Sequence, residues 1–195
     1  MKIGILALQG AFHEHRLIFE KIGLSVAEVR LPEHLKDIDG LVIPGGESTT
    51  IMKLMDSYNL INAIRDLSSR QIPVWGTCAG MICLASQVHN PDSSTMQTLS
   101  LMDITVRRNA FGRQVDSFEA PLHISEINDG PFPGVFIRAP FIEKTGRNVK
   151  VLCTLSSGEI VAARQNNLLV SSFHPELTAD ARFHSYFIDM ANSNK

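Results

Sequence analysis

A chain of 195 residues with 44% hydrophobic and 19% charged side chains has the balance of one ordinary globular domain, large enough to bury about 70% of its unfolded surface. A net charge of -2 without any cluster of Lys or Arg excludes nucleic acid as the main partner, and no apolar run approaches the ~18 residues of a membrane span. Cys78, Cys83 and Cys153 have neither C-x-x-C nor disulfide-framework spacing, which points to a reducing cytoplasm.

Residues 2–8 form a near-continuous apolar run, the pattern of a strand buried on both faces of a parallel sheet. The run is shorter than the ~7–15-residue apolar core of a secretion signal and passes straight into Gln9 and His13-Glu14-His15-Arg16, so it reads as a first strand. Gln9-Gly10 breaks it. Residues 11–22 carry Phe12, Leu17, Ile18, Phe19 and Ile22 at roughly helical spacing and stop at Gly23. A second strand is expected over 25–29. Asp37-Ile38-Asp39-Gly40 then turns into a third, 41–43, which ends at Pro44-Gly45-Gly46-Glu47-Ser48-Thr49-Thr50. Helices over 49–55 and 60–69 lead to the apolar Ile72-Pro73-Val74-Trp75. This alternation predicts right-handed crossovers, helices on both faces of a parallel sheet, and active groups at the carboxyl ends of the strands. Beyond residue 100 the pattern changes to short strands at 103–107, 149–153, 160–163 and 168–171, with Asn166-Asn167 as a hairpin turn. Residues 180–191 read as an amphipathic closing helix packed through Phe183, Phe187, Ile188 and Met190. The expected architecture is α/β and three-layered: a flavodoxin-like, mostly parallel sheet with an antiparallel extension, in a single domain over residues 1–195.

Gly76-Thr77-Cys78-Ala79-Gly80 lies between the fourth apolar run and Met81-Ile82-Cys83-Leu84-Ala85, so Cys78 falls where a strand turns into a helix. Glycines two residues to either side let strand and helix approach closely while the central residue is held strained, as in a nucleophile elbow. By chance such glycines flank about one Cys in 200, whereas a buried free Cys is otherwise a small hydrophobe. The helix N-terminus favours thiolate over thiol. A thiol nucleophile also needs a base and a group to orient it. Ser172-Phe173-His174-Pro175-Glu176 offers both, since residues two apart in an extended or turned segment project to one side and Glu176 can fix the His174 tautomer. The competing role is purely structural, with His174 ending a strand and Glu176 opening a helix. Paired glycines in Pro44-Gly45-Gly46-Glu47-Ser48 expose backbone N–H groups suited to a phosphate or an oxyanion. No Gly-Lys-Ser/Thr follows, so this is not a Walker A loop, and Ser48 or Thr49 is the expected helix cap. His13 and His15 point apart on a helix and read as solvent-exposed rather than metal-binding. Residues 107–119 form a polar loop dense in side chains able to recognise a zwitterion. On the residues alone three readings stay open: an acyl-transfer enzyme working through Cys78, a Cys-elbow stress-response or protease-like protein on the same architecture, and a binding module with an inert Cys78.

Gly76-Thr77-Cys78-Ala79-Gly80 together with Phe173-His174-Pro175-Glu176 resembles the class I (triad) glutamine amidotransferase family. Pro44-Gly45-Gly46-Glu47-Ser48-Thr49-Thr50, Arg108-Asn109-x-Phe111-Gly112-Arg113-Gln114 and Val135-Phe136-Ile137-Arg138-Ala139-Pro140 narrow the resemblance to the glutaminase subunits of pyridoxal 5′-phosphate synthase, along essentially the whole chain. Arg107 and residues 86–100 depart from that pattern. The resemblance implies Cys78 as nucleophile, with His174 and Glu176 completing a triad. It implies that Gly46, Glu47, Ser48, Arg108, Ile137 and Arg138 bind L-glutamine, and that the N–H groups of Gly46 and Ala79 form an oxyanion hole. Arg side chains suit the α-carboxylate of glutamine, and a carboxylate or carbonyl suits its α-ammonium. The implied reaction is hydrolysis of L-glutamine to L-glutamate and ammonia through a thioester, without metal or organic cofactor. The implied partner is a separate synthase chain that uses the ammonia to build pyridoxal 5′-phosphate.

Overall fold

The computed structural model describes residues 1–90, 96–108 and 117–193. The first half runs β1 (Lys2–Leu6), α1 (Phe12–Lys21), β2 (Ser25–Val29), β3 (Gly40–Ile43), α2 (Ser48–Ser57), α3 (Leu60–Ser69), β4 (Val74–Thr77) and α4 (Ala79–Leu84). The second runs β5 (Ala85–His89), β6 (Met102–Arg107), β7 (Ser117–Leu122), β8 (Phe132–Ile137), β9 (Phe141–Thr145), β10 (Lys150–Thr154), β11 (Ile160–Gln165), β12 (Leu168–Ser171) and α5 (Arg182–Ser193).

Side-chain alternation along the strands decides which helix covers which face. Leu6, Leu41, Ile43 and Val74 point to the side of α2 and α3, where Ile51, Met55, Ile64 and Leu67 meet them. Ile3, Ile5, Val42 and Trp75 point the other way, onto Phe19 of α1 and Phe183 and Phe187 of α5. Each such buried aromatic or aliphatic side chain contributes about 1.5–3 kcal/mol relative to exposure. The three layers of the sequence reading are therefore present. No helix among the described residues is long and apolar enough to cross a membrane.

The parallel strands lie in the order β2-β1-β3-β4-β12, the 2-1-3-4-5 arrangement of a flavodoxin-like sheet with β12 as its fifth strand. β11, β9 and β6 continue it with antiparallel pairings, and β10 pairs with β11. Asn166, at φ 53°, makes the β11–β12 turn. Two features depart from a simple antiparallel extension. β5 pairs in parallel with β6 at the sheet edge, and β7 and β8 form a separate two-stranded sheet. β5, β7, β8 and β9 were not marked out by sequence pattern. β5 has no apolar alternation, and Pro121, Pro133 and Gly134 read as strand breakers, although all are tolerated in a two-stranded ribbon with open edges.

Candidate active site

Parallel register brings three strand ends together. Ile43 pairs with Gly76 and Ser171 with Thr77, so the chain segments leaving β3, β4 and β12 emerge side by side. At the middle one, a Cβ on Gly76 would lie 2.5 Å from the Gly80 carbonyl carbon, and one on Gly80 would lie 2.0 Å from the Ile43 carbonyl oxygen. Only glycine fits at either position, and the resulting tight turn holds Cys78 at φ 49° and ψ -104°. A non-glycine residue there stores about 1–3 kcal/mol of strain, which the surroundings must hold in place. The Cys78 N–H donates to the Ser171 carbonyl at 2.7 Å, and the Cys78 carbonyl accepts from the N–H groups of Met81 and Ile82. Cys78 is thus the cap of α4, and the Ala79 and Gly80 N–H groups of its first turn lack intrahelical partners. The other two thiols are buried away from this turn: burial pushes Cys83 up to about 12 and Cys153 up to about 11, so both stay protonated.

His174 follows β12 and is fixed from both sides. Its N–H donates to the Val135 carbonyl of β8 at 2.8 Å, while the preceding Phe173 ring packs among Phe132, Phe136 and Phe183. The His174 Nδ1 lies 2.7 Å from Glu176 Oε1, and the Cys78 thiol acts on the same imidazole. Burial works against charge on this ring, but Cys78 and Glu176 together outweigh it and raise His174 to about 10. Burial likewise works against the Glu176 carboxylate, yet the His15 and His174 imidazoles hold it below its ordinary range. Both facts describe an imidazole held in its charged form between a thiol and a carboxylate.

The segment after β3 closes the site. Gly45 passes so close that a Cβ there would lie 2.6 Å from His174 Cε1. Its carbonyl accepts from the Ala11 N–H at 3.0 Å, and the Glu47 N–H donates to Gln9 Oε1 at 2.7 Å, so the segment after β1 anchors the loop. The cap of α2 is Glu47, not Ser48 or Thr49: its Oε2 accepts from the Thr50 N–H at 2.9 Å and from the Thr49 and Thr50 hydroxyls. Its Oε1 pairs with Arg108 at 3.0 Å. Burial opposes the Glu47 charge, but these hydrogen bonds and the guanidinium keep its carboxyl below the usual range.

Around the Cys78 thiol opens a cavity of about 430 Å³, the size of a small-molecule site. Gly46, Glu47, Ser48, Cys78, Ala79, Arg108, Ile137, Arg138 and His174 line it, joined by Gln9, Ile82 and Pro140. Arg138 sits at φ 43°, a conformation uncommon outside glycine, and the Ser172 hydroxyl pins the same turn by donating to the Pro140 carbonyl at 2.7 Å. Among the described residues no group of three or more His, Cys, Asp or Glu is arranged to hold a metal ion.

A family model for the SNO glutamine amidotransferases matches residues 5–193. The chain belongs to that family. A Dehalococcoides mccartyi protein named pyridoxal 5′-phosphate synthase subunit PdxT is 58% identical over 195 residues, covering 100% of both chains. The Herpetosiphon aurantiacus protein of the same name is 52% identical over 97% of this chain and 100% of its own. A crystal structure of a glutamine amidotransferase, 43% identical, superposes with a TM-score of 0.91 over 97% of this chain and 98% of its own.

In this glutamine amidotransferase the structure gathers every site residue expected from sequence around one cavity, with Glu176 behind the His174 ring. The motif residues 109–114 lie outside the described residues, as do 91–95 of the divergent segment. A second expectation fails, after the cap of α2. His13 is exposed, but His15 is fully buried, 3.4 Å from Glu176 Oε2, and its Nδ1 lies 3.0 Å from His184 Nε2. The signal was in the helical spacing: Phe12, His15, Phe19 and Ile22 fall at intervals of three, four and three, which puts His15 on the apolar stripe of α1. Gln9 as the anchor of the Glu47 backbone was equally unannounced, since nothing in sequence pairs two loops 38 residues apart.

Proposed function

We propose that this chain hydrolyses L-glutamine to L-glutamate and ammonia through Cys78, His174 and Glu176, and hands the ammonia to the synthase subunit of pyridoxal 5′-phosphate synthase in the cytoplasm. The observation that carries the reading is the His174 ring held by Glu176 at 2.7 Å, with both His174 and Cys78 lining one cavity of suitable size. The Cys78 sulfur attacks the side-chain carboxamide carbon. The N–H groups of Gly46 and Ala79 receive the oxyanion as the carbonyl bond opens. His174, as imidazolium, protonates the departing nitrogen, so the C–N bond breaks, ammonia leaves and a γ-glutamyl thioester remains on Cys78. The now neutral His174 takes a proton from water, whose oxygen attacks the thioester. Collapse returns the thiolate–imidazolium pair and releases glutamate. The chemistry needs neither metal nor organic cofactor.

Recognition of the amino-acid end falls to the upper walls. Arg138 and Arg108 suit the α-carboxylate, while the Glu47 carboxylate and the Ile137 carbonyl suit the α-ammonium. Gly46 and Ser48 shape the wall beside the reacting amide. All of these functions belong to one glutaminase domain spanning residues 1–195.

The same geometry supports control by the partner. The loop that carries Gly46 is fastened to Gln9 and Ala11, so a chain docking on that surface acts directly on the orientation of the 45–46 peptide. One oxyanion donor is worth about 3 kcal/mol, or roughly a hundredfold in rate. Glutamine hydrolysis by the isolated chain is therefore expected to rise on addition of the synthase subunit. Amide-labelled glutamine should also keep its label in pyridoxal 5′-phosphate against excess unlabelled ammonium. Full activity of the isolated chain refutes the gating, and complete dilution of label refutes direct transfer.

A further inference from the structure

Behind Glu176 lies a second set of buried ionisable groups that hydrolysis as written does not use. Glu176 Oε1 is bound to His174, but its Oε2 is buried and makes no hydrogen bond among the described residues. The group facing it is His15 Nε2, 3.4 Å away and 3.3 Å from the Thr77 hydroxyl. On the far side of that ring, His15 Nδ1 meets His184 Nε2 at 3.0 Å, and His184 Nδ1 ends the chain without a partner. Three elements converge here: α1 brings His15, α5 brings His184, and Trp75 of β4 packs edge-on against both rings. Both histidines are fully buried.

Proton placement in this chain is decided by elimination. Burial lowers both histidines, His15 against the pull of Glu176, so each ring is neutral and carries a single N–H. If His15 carried its proton on Nδ1, it would donate to His184 Nε2. The proton of His184 would then sit on Nδ1, a buried donor with nothing to bind, and the bare lone pair of His15 would face the Glu176 carboxylate. An unpaired buried donor costs about 1–3 kcal/mol, and the lone-pair contact adds repulsion. The opposite arrangement strands only an acceptor lone pair on His184. His184 Nε2–H then donates to His15 Nδ1, and His15 Nε2–H donates to Thr77 Oγ1 with Glu176 Oε2 beside it at 3.4 Å.

We propose that His15, its tautomer fixed by His184, is a positioning residue for the triad, directing an N–H dipole at the free oxygen of Glu176 and so keeping that carboxylate ionised and aimed at His174. This rests on the triad reading above, and it extends the line from Cys78 through His174 and Glu176 to two residues that touch neither cavity nor substrate. The ionisable groups facing the pair are Glu176 and His174 from the segment after β12, Glu14 beside His15 on α1, and His184 on α5, with Cys78 beyond His174. Removing the His15 N–H makes Glu176 easier to protonate. A protonated Glu176 no longer supports the His174 imidazolium, so activity is lost at a higher pH on the acid side.

The test is the pH profile of kcat/KM for glutamine hydrolysis by the full chain with its synthase partner, for wild type, His15→Leu, His15→Gln and His184→Phe. In His15→Leu the acid limb moves up by about one pH unit, equivalent to a tenfold change in the proton affinity of Glu176, while KM at the optimum is unchanged. His15→Gln, whose amide N–H reaches close to the position of Nε2, restores most of the limb, and His184→Phe gives an intermediate shift. A lower kcat with an unmoved limb in His15→Leu would reduce His15 to packing and overturn the proposal. Should His15→Leu fail to fold, imidazole nitrogen NMR of the wild-type chain decides: a neutral His15 protonated on Nε2 is expected, and one protonated on Nδ1 overturns the assignment. An inactive wild-type complex would instead count against the glutaminase reading itself.

Discussion

Two regions of the molecule contribute different kinds of group to the cavity. The parallel strands β3, β4 and β12 end in Gly46, Cys78 and His174, with the thiol and imidazole residues 7% and 8% exposed and held by strand register, backbone hydrogen bonds and glycine-only contacts. The strands outside the parallel core end in Arg108 after β6 and in Ile137 and Arg138 after β8, where Ile137 is 39% exposed and Arg108 leans on Glu47 and Asn90. Groups that break bonds are locked in the rigid sheet, and groups that hold the substrate's far end stand on its looser rim. Truncations in the first set should lower kcat, and truncations in the second should raise KM.

The largest break in that contrast comes from the base and its orienter. His174→Ala removes both proton transfers, each worth about 10²–10⁴-fold, and kcat should fall by at least that range with KM nearly unchanged. Glu176→Gln leaves a usable imidazole and should cost less. It also carries a pH signature. Glu176 raises the His174 pKa toward about 10, so neutralising it lowers that pKa, and the alkaline limb of kcat/KM should move to lower pH. Near-normal rates for both variants would mean that the pair only ends a strand and starts a turn. On the rim, Arg138→Ala should raise KM by about 10–100-fold with kcat within a few-fold of wild type, as expected for loss of one charge-assisted contact to a carboxylate. A kcat loss equal to that of His174→Ala would erase the distinction between rim and floor. The smallest effect is expected at a side chain that does not line the cavity: Arg107→Ala removes an exposed ion pair with Glu143 and should change unfolding stability by less than about 0.5 kcal/mol.

What was legible in the sequence follows the same division. Parallel strands buried on both faces announce themselves as unbroken apolar runs, so β1, β3, β4 and β12 were placed to within a few residues, and with them Cys78 and His174. Gly76 and Gly80 were legible because the close approach they permit, to each other and to Ile43, forbids any other residue. The edge and ribbon strands β5, β7, β8 and β9 were not, because half-exposed strands carry prolines and polar residues that read as loop. Residues joined across long separations were hidden altogether. Gln9 to Glu47 and His15 to His184 meet only once the sheet has aligned α1, β3 and α5, and no local pattern encodes that meeting. His15 shows the limit most plainly, since a helical wheel puts it in the core but does not say that a carboxylate waits there.

The claim that most of this depends on is that Cys78, alone of three buried thiols, is the nucleophile and faces a glutamine site. A diazoketone analogue of glutamine, added to the complex with the synthase subunit and followed by peptide mass mapping, tests it directly. A single adduct on Cys78 is expected, formed in step with loss of glutaminase activity, prevented by excess glutamine and absent from Cys83 and Cys153, which burial keeps protonated up to about 12 and about 11. An adduct on Cys83 or Cys153, or inactivation that leaves Cys78 unmodified, would contradict it.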